Sequence, residues 1–175
     1  MKTGNTTQKT VLAALMAALI CVATFAVRIP SPLKGYLNLG DCAVLLAGWL
    51  LSPVYGFLAA GLGSALADLL SGYAVYAPAT FAVKGAMALV AFFGFRLLNK
   101  KLSGLPSRII SGLIAEAVMI FGYYVFEGFL YGFGAAAVNI PANGVQGAAG
   151  LILGCALVKA FEKIKAVPDR REHEY

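Results

Sequence analysis

Three ionisable residues, Asp41, Asp68 and Lys84, stand inside or at the ends of segments otherwise fit for lipid. An ionisable group at the bilayer centre costs at least ~2.5–3.5 kcal/mol on insertion scales, so such groups face a partner or a cavity. They belong to one stretch, which reads YLNLGD from Tyr36, then an apolar run, then GSALADLLSGYAVYAPATFAVKG. Asn38, Tyr73 and Tyr76 accompany them, and together they point to one polar site. With about 1.5 Å of rise per helical residue, Asp68 and Lys84 fall within a few ångströms of the same depth. That makes Asp68 and Lys84 a candidate structural ion pair, which would lock two helices together without any ligand.

Other polar residues gather at the same level. Tyr36, Asn38, Asp41, Lys84, Tyr123, Glu127, Asn139, Asn143 and Gln146 are the candidate substrate-binding residues, all in the outer third of their segments. Glu116 is the main buried polar residue expected in the inner half. This asymmetry favours a pocket opening outward over a pore or a proton wire. Aromatic rings beside amides and charged groups suit a small planar heteroaromatic ligand, held by stacking and a few hydrogen bonds.

Catalysis finds no support in the motifs. There is no HExxH, no GxxxxGK[ST] phosphate loop and no cysteine nucleophile arrangement, and the single histidine, His173, lies in the charged tail. Cys21, Cys42 and Cys155 lack any metal-ligand spacing and read as small packing residues. No metal, no cofactor and no enzyme activity are expected, and uptake driven by ATP would require another subunit.

The elements that must position these residues are membrane helices. The chain has 175 residues, 60% of them hydrophobic and only 13% charged, with a mean hydropathy of +0.80. Apolar runs near a bilayer's thickness recur, continuous and not alternating, which argues for helices over a barrel. We expect one integral membrane domain over residues 1–175, an all-α bundle with six transmembrane helices at about 7–27, 39–51, 54–70, 79–98, 108–127 and 141–163. Residues 128–140 read as an outer loop, and 166–175 as a flexible cytoplasmic tail.

The net charge of +6 is placed like that of a membrane protein, not a nucleic-acid binder. Lys2, Lys9, Lys100, Lys101, Arg108, Lys159, Lys163, Lys165, Arg170 and Arg171 occupy the N-terminus, one central loop and the tail. With six crossings all fall on one side, which puts both termini in the cytoplasm, against Arg28 and Lys34 outside. The first apolar run lacks a small-x-small cleavage site and reads as a membrane helix. Within it Ala13, Ala14, Ala17 and Ala18 form overlapping small-xxx-small pairs, suited either to internal packing or to a partner helix.

Four pieces in this order, the alanine pairs, GYLNLGD, GSALADLLSGY and YAPATFAVKG, give the chain a family resemblance over roughly residues 7 to 163. It resembles the substrate-binding membrane subunit (S component) of energy-coupling factor (ECF) transporters, the prokaryotic vitamin importers. The branch with hydroxymethylpyrimidine, pyridoxine and some riboflavin subunits is the most similar. The resemblance implies a multi-pass protein of the prokaryotic cell membrane with a vitamin pocket near the outer face. It also implies partners: a coupling transmembrane subunit and two cytoplasmic ATPases. The alanine motif would face the coupling subunit, so Ala13→Trp or Ala17→Trp is expected to abolish uptake and spare ligand binding. Two other readings compete, a stand-alone ion-coupled secondary transporter using Asp68, Lys84 and Glu116, and a membrane scaffold or small membrane enzyme.

Overall fold

A computed structural model describes residues 6–31, 33 and 35–166; the expected positions of Lys2, Lys34, Arg170, Arg171 and His173 lie outside the described residues. The first helix, α1, runs Thr6–Ala26. A two-stranded hairpin follows, β1 (Ile29–Pro30) against β2 (Tyr36–Leu37), with Ile29 opposite Leu37 and Pro30 opposite Tyr36. Helices α2 (Gly40–Leu50), α3 (Pro53–Leu70), α4 (Ala77–Leu98) and α5 (Gly104–Tyr131) come next. A single turn, α6 (Phe133–Ala136), then leads through a 3-10 turn (Ala137–Asn139) into α7 (Ile140–Ala166).

Among the described residues, five helical stretches are long and apolar enough to cross a membrane: Thr6–Ala26, Pro53–Leu70, Ala77–Leu98, Gly104–Tyr131 and Phe133–Ala160. The remaining helix, α2, has 11 residues, or about 16 Å of rise, about half of a ~30 Å hydrocarbon core. It survives because the others enclose it. Ala43 through Ala47 are each at most 3% exposed, with α1, α3, α4 and α7 packed around them. Ser52 and Pro53 end it by fixing an extended turn before α3.

Small residues set how closely these helices approach. A side chain at Gly48 would stand 2.6 Å from the Ala88 carbonyl of α4, so only glycine permits that crossing. One would likewise collide at Gly63 with the Ala17 carbonyl of α1. Contact of that kind replaces the hydrophobic driving force that helices lack in lipid. Trp49 is buried and satisfied, its indole donating to the Ser111 hydroxyl at 3.1 Å.

Two expectations need correction here. The outer segment 128–140 is not a loop: α5 continues to Tyr131 and helix resumes at Phe133. Gly132, with a φ of +88°, is the one residue that turns the chain, and the alanines after it sustain helix. The alanine pairs also divide. Ala13 is buried and the Ala17 backbone meets Gly63 of α3, so this pair packs internally. Ala14 and Ala18, one residue on, are exposed.

Candidate ligand pocket

The hairpin end of the bundle holds a cavity of about 30 Å³, room for a water or two. Its lining comes from six parts of the chain: Ser31, Gly35, Tyr36 and Asn38 from the hairpin region, Asp68 from α3, Tyr73 and Tyr76 from the following turn, Thr80 from α4, Tyr123 and Glu127 from α5, and Asn139 with Asn143 and Gln146 from the 3-10 turn and the first turns of α7.

Each wall is fixed by hydrogen bonds across long stretches of sequence. The hairpin is tied down twice. Leu33 donates its backbone N–H to Asn139 Oδ1 at 3.2 Å, and Asn38 donates its own to Gln146 Oε1 at 2.9 Å. Asn139 is buried and its Nδ2 donates to Glu127 Oε1 at 2.8 Å. Tyr76 donates its hydroxyl to the same oxygen at 3.3 Å, and Tyr123 donates to the Thr80 hydroxyl at 3.0 Å. On the other side Tyr36 donates to Asp68 Oδ1 at 2.6 Å. Tyr73 packs between the two outer phenols, its ring centroid 4.8 Å from that of Tyr36 and 6.3 Å from that of Tyr76. Burial, with the neighbouring carboxylates adding to it, pushes the Tyr36 and Tyr76 phenols well above their ordinary value of 10.0. Both therefore stay protonated donors at neutral pH.

The ionic pairing differs from the one the sequence suggests. Lys84 bonds to Asp41 Oδ1, not to Asp68. Depth alone could not separate the two carboxylates. Asp41 opens α2, which crosses α4 at Gly48, whereas Asp68 closes α3 and faces the hairpin and its Tyr36. The pair lies one layer below the cavity: Asp41 is 0% and Lys84 2% exposed, and neither lines it. Both had been expected to touch ligand. They reach the pocket only through intermediaries. Gln146 Nε2 donates to Asp41 Oδ2 at 2.7 Å, and the Lys84 ammonium stands 5.5 Å from the Tyr123 ring centroid. Glu116 is buried close by, against Gly147 and Gly150 of α7.

Of the other expected ligand residues, Tyr36, Asn38, Tyr123, Glu127, Asn139, Asn143 and Gln146 all line the cavity. Asp68 joins them, as do Tyr73 and Tyr76, which flank the motif. Ser31, Gly35 and Thr80 were not foreseen. Thr80 carried a legible signal, since it lies one helical turn before Lys84 on α4 and so on the same face. Ser31 and Gly35 carried none, because a Pro-flanked loop has no periodicity to read.

Comparison with known proteins agrees with this architecture. The family model described as "ECF-type riboflavin transporter, S component" matches residues 4–163. A protein of Pyrococcus woesei known only as an uncharacterised protein in a gap 3' region is 34% identical over 145 residues, 82% of this chain and 95% of that one. The "Thiamine precursor transporter HmpT" of Lactococcus lactis subsp. cremoris is 27% identical over 159 residues, 89% of each chain. A solved structure described as the S component of a bacterial ECF transporter superposes with a TM-score of 0.75 at 23% identity, covering 93% of this chain and all of the other. That last likeness speaks for the fold. The short helix α2 enclosed by five spanning stretches, the polar pocket at the hairpin end and the match over nearly the whole chain lead to one assignment: this chain belongs to the ECF-type S components, the multi-pass membrane subunits that bind vitamin-type substrates for transport and are not themselves enzymes.

Proposed function

We propose that this chain captures a small heteroaromatic vitamin or vitamin precursor, of the hydroxymethylpyrimidine or pyridoxine type in preference to riboflavin, in the outer pocket. It then delivers it through a coupling transmembrane subunit driven by two cytoplasmic ATPases. Both termini face the cytoplasm in this reading, as the basic residues require. The observation that carries the proposal is the enclosure itself. Amides, phenols and carboxylates from six parts of the chain converge on one outward cavity, under a hairpin held by Asn139 and Gln146. Any vitamin enters only after the hairpin lifts, which breaks bonds of roughly 1 kcal/mol each.

Docking on the coupling subunit uses the exposed face of α1, where Ala14 and Ala18 permit close helix approach. Native mass spectrometry of the protein purified in mild detergent from cells grown in rich medium tests the binding role. A co-purified small molecule of vitamin mass supports it. An empty protein that also fails to bind pyrimidine, pyridoxine, riboflavin and pantothenate-type ligands would sink it. Uptake that persists without any ATPase partner yet collapses with an ionophore would favour an ion-coupled carrier instead.

A further inference from the structure

Asp41 and Lys84 lie beneath the pocket without lining it, and the hydrogen bonds above them run in one direction. The Asp41 carboxylate accepts from Lys84 on Oδ1 and from Gln146 Nε2 on Oδ2, the second at 2.7 Å. An ionised carboxylate only accepts. The Gln146 amide must therefore turn its NH2 toward Asp41, which leaves its oxygen facing the hairpin. That oxygen accepts the Asn38 backbone N–H at 2.9 Å and the Asn38 side-chain Nδ2 at 3.4 Å. The Asn38 amide is set in turn, because its Oδ1 accepts the N–H of Gly40, the residue that opens α2, at 2.9 Å.

Burial makes this order costly to reverse. Asp41 is 0% and Gln146 4% exposed. A flipped amide would aim its oxygen at a carboxylate oxygen and its NH2 at a backbone N–H, and burial keeps bulk solvent from relieving either clash. Asn38 and Asp41 flank the join between β2 and α2, and one side chain of α7 grips both. That helix lies directly against Asp41: a side chain at Gly150 would stand 2.6 Å from the Asp41 Cβ. Gln146, four residues earlier on the same face of α7, reaches over the carboxylate toward the hairpin.

We infer that Asp41 is a positioning residue for the pocket: held by Lys84, its carboxylate orients the Gln146 amide, and the oriented amide ties the hairpin down at Asn38. The buried pair thereby acts on the binding site without touching what binds there. The inference takes from the functional reading only that the hairpin covers the vitamin pocket, and adds what fixes the hairpin in place. The polarity of the chain of donors is its substance. An acceptor at position 146 is not enough, because the side chain must also donate downward to Asp41 in a charge-assisted hydrogen bond, about twice as strong as a neutral one. An ion pair that only braced helices α2 and α4 would leave the hairpin indifferent to that polarity.

The test is hydrogen–deuterium exchange on the full chain in lipid nanodiscs with no vitamin added, comparing the hairpin segment Tyr36–Asn38 with the α2 interior, Val44–Trp49. Gln146→Glu keeps an acceptor for Asn38, and a charged one, but cannot donate to Asp41 and sets two carboxylates face to face. Hairpin exchange should rise ~10-fold or more, the scale of a lost hydrogen bond to a charged group, with a smaller change in the α2 interior. The swap Asp41→Asn/Gln146→Glu exchanges donor and acceptor and conserves the charge of the cluster, so it should recover most of the lost hairpin protection. Should Gln146→Glu fail to elute as a monodisperse protein, Asp41→Asn/Lys84→Met decides, because removing both members of a buried pair often costs little stability. There the hairpin should exchange faster while the α2 interior stays as in the parent. Hairpin exchange unchanged or slowed by Gln146→Glu, no recovery in a monodisperse swap, or a hairpin as protected as the parent's in Asp41→Asn/Lys84→Met overturns the inference. Each of those results leaves the vitamin-binding role intact, since no ligand enters the measurement.

Discussion

The Lys84–Asp41 pair allows the tertiary arrangement to be tested against its nearest competitor. Both partners are essentially inaccessible, with side chains 3% and 0% exposed, and the remaining Asp41 oxygen is taken by Gln146. Removing one member of a buried pair strands the other and typically costs 3–5 kcal/mol, about. Removing both leaves two neutral groups of similar volume, often at little cost. Lys84→Met should therefore destabilise by ~3–5 kcal/mol, and Asp41→Asn/Lys84→Met by clearly less than the sum of the two single changes. A coupling energy of roughly 2–3 kcal/mol far exceeds the ~0.3–0.5 kcal/mol scatter of independent sites. Unfolding by SDS in mixed micelles reads this directly through the single tryptophan, because Trp49 is buried against Ser111 and will report loss of the packed bundle. The same cycle on Asp68 and Lys84 should show clearly weaker coupling, since Asp68 spends its bonded oxygen on Tyr36 and makes no ion pair with Lys84. Additivity for Asp41/Lys84 together with strong coupling for Asp68/Lys84 would refute the arrangement described here and restore the pairing that sequence depth suggests.

Further expectations follow from single contacts. Ala14→Trp or Ala18→Trp, on the exposed face of α1, should abolish uptake and leave ligand affinity of the isolated protein unchanged. Ala13→Trp should instead lower stability and binding together, because Ala13 is buried; paired uptake and titration assays separate the two. Gly48→Val should prevent recovery of folded protein, since the new side chain meets the Ala88 carbonyl at 2.6 Å, and size-exclusion chromatography reads this. Asn139→Ala unties the hairpin from α7 and removes a donor to Glu127, so ligand dissociation should accelerate about 10-fold or more in stopped-flow measurements. Tyr36 and Tyr76 have raised phenol values in the folded chain. Their contribution to stability is thus full below pH ~10 and is lost as pH rises beyond it; an alkaline melt series checks the direction.

The membrane bundle was legible in the chain because the reasons for it are local. A run such as Val11–Ala23 is apolar over its whole length, and lipid leaves its backbone no alternative to helix. The clustering of Asn38, Tyr123, Glu127, Asn143 and Gln146 at one end of the bundle was legible for the same reason, since position along a helix converts directly to depth. The segment 128–140 was misread because glycine density resembles a loop, while a single positive φ at Gly132 suffices for the turn.

Sequence by itself therefore determined what each residue must avoid: which segments sit in lipid, and which side chains cannot face it. Only the tertiary structure decided whom each meets. Depth is one coordinate, and Asp41 and Asp68 share it; the rotation of α2 and α3 about their axes, set by close contacts at Gly48 and Gly63, gives Lys84 to the first and Tyr36 to the second. The rotation of α1, set by the contact of Ala17 with Gly63, likewise turns Ala13 inward and leaves Ala14 exposed. The packing also leaves one oxygen of Asp68 and one of Glu127 without a donor at the pocket wall.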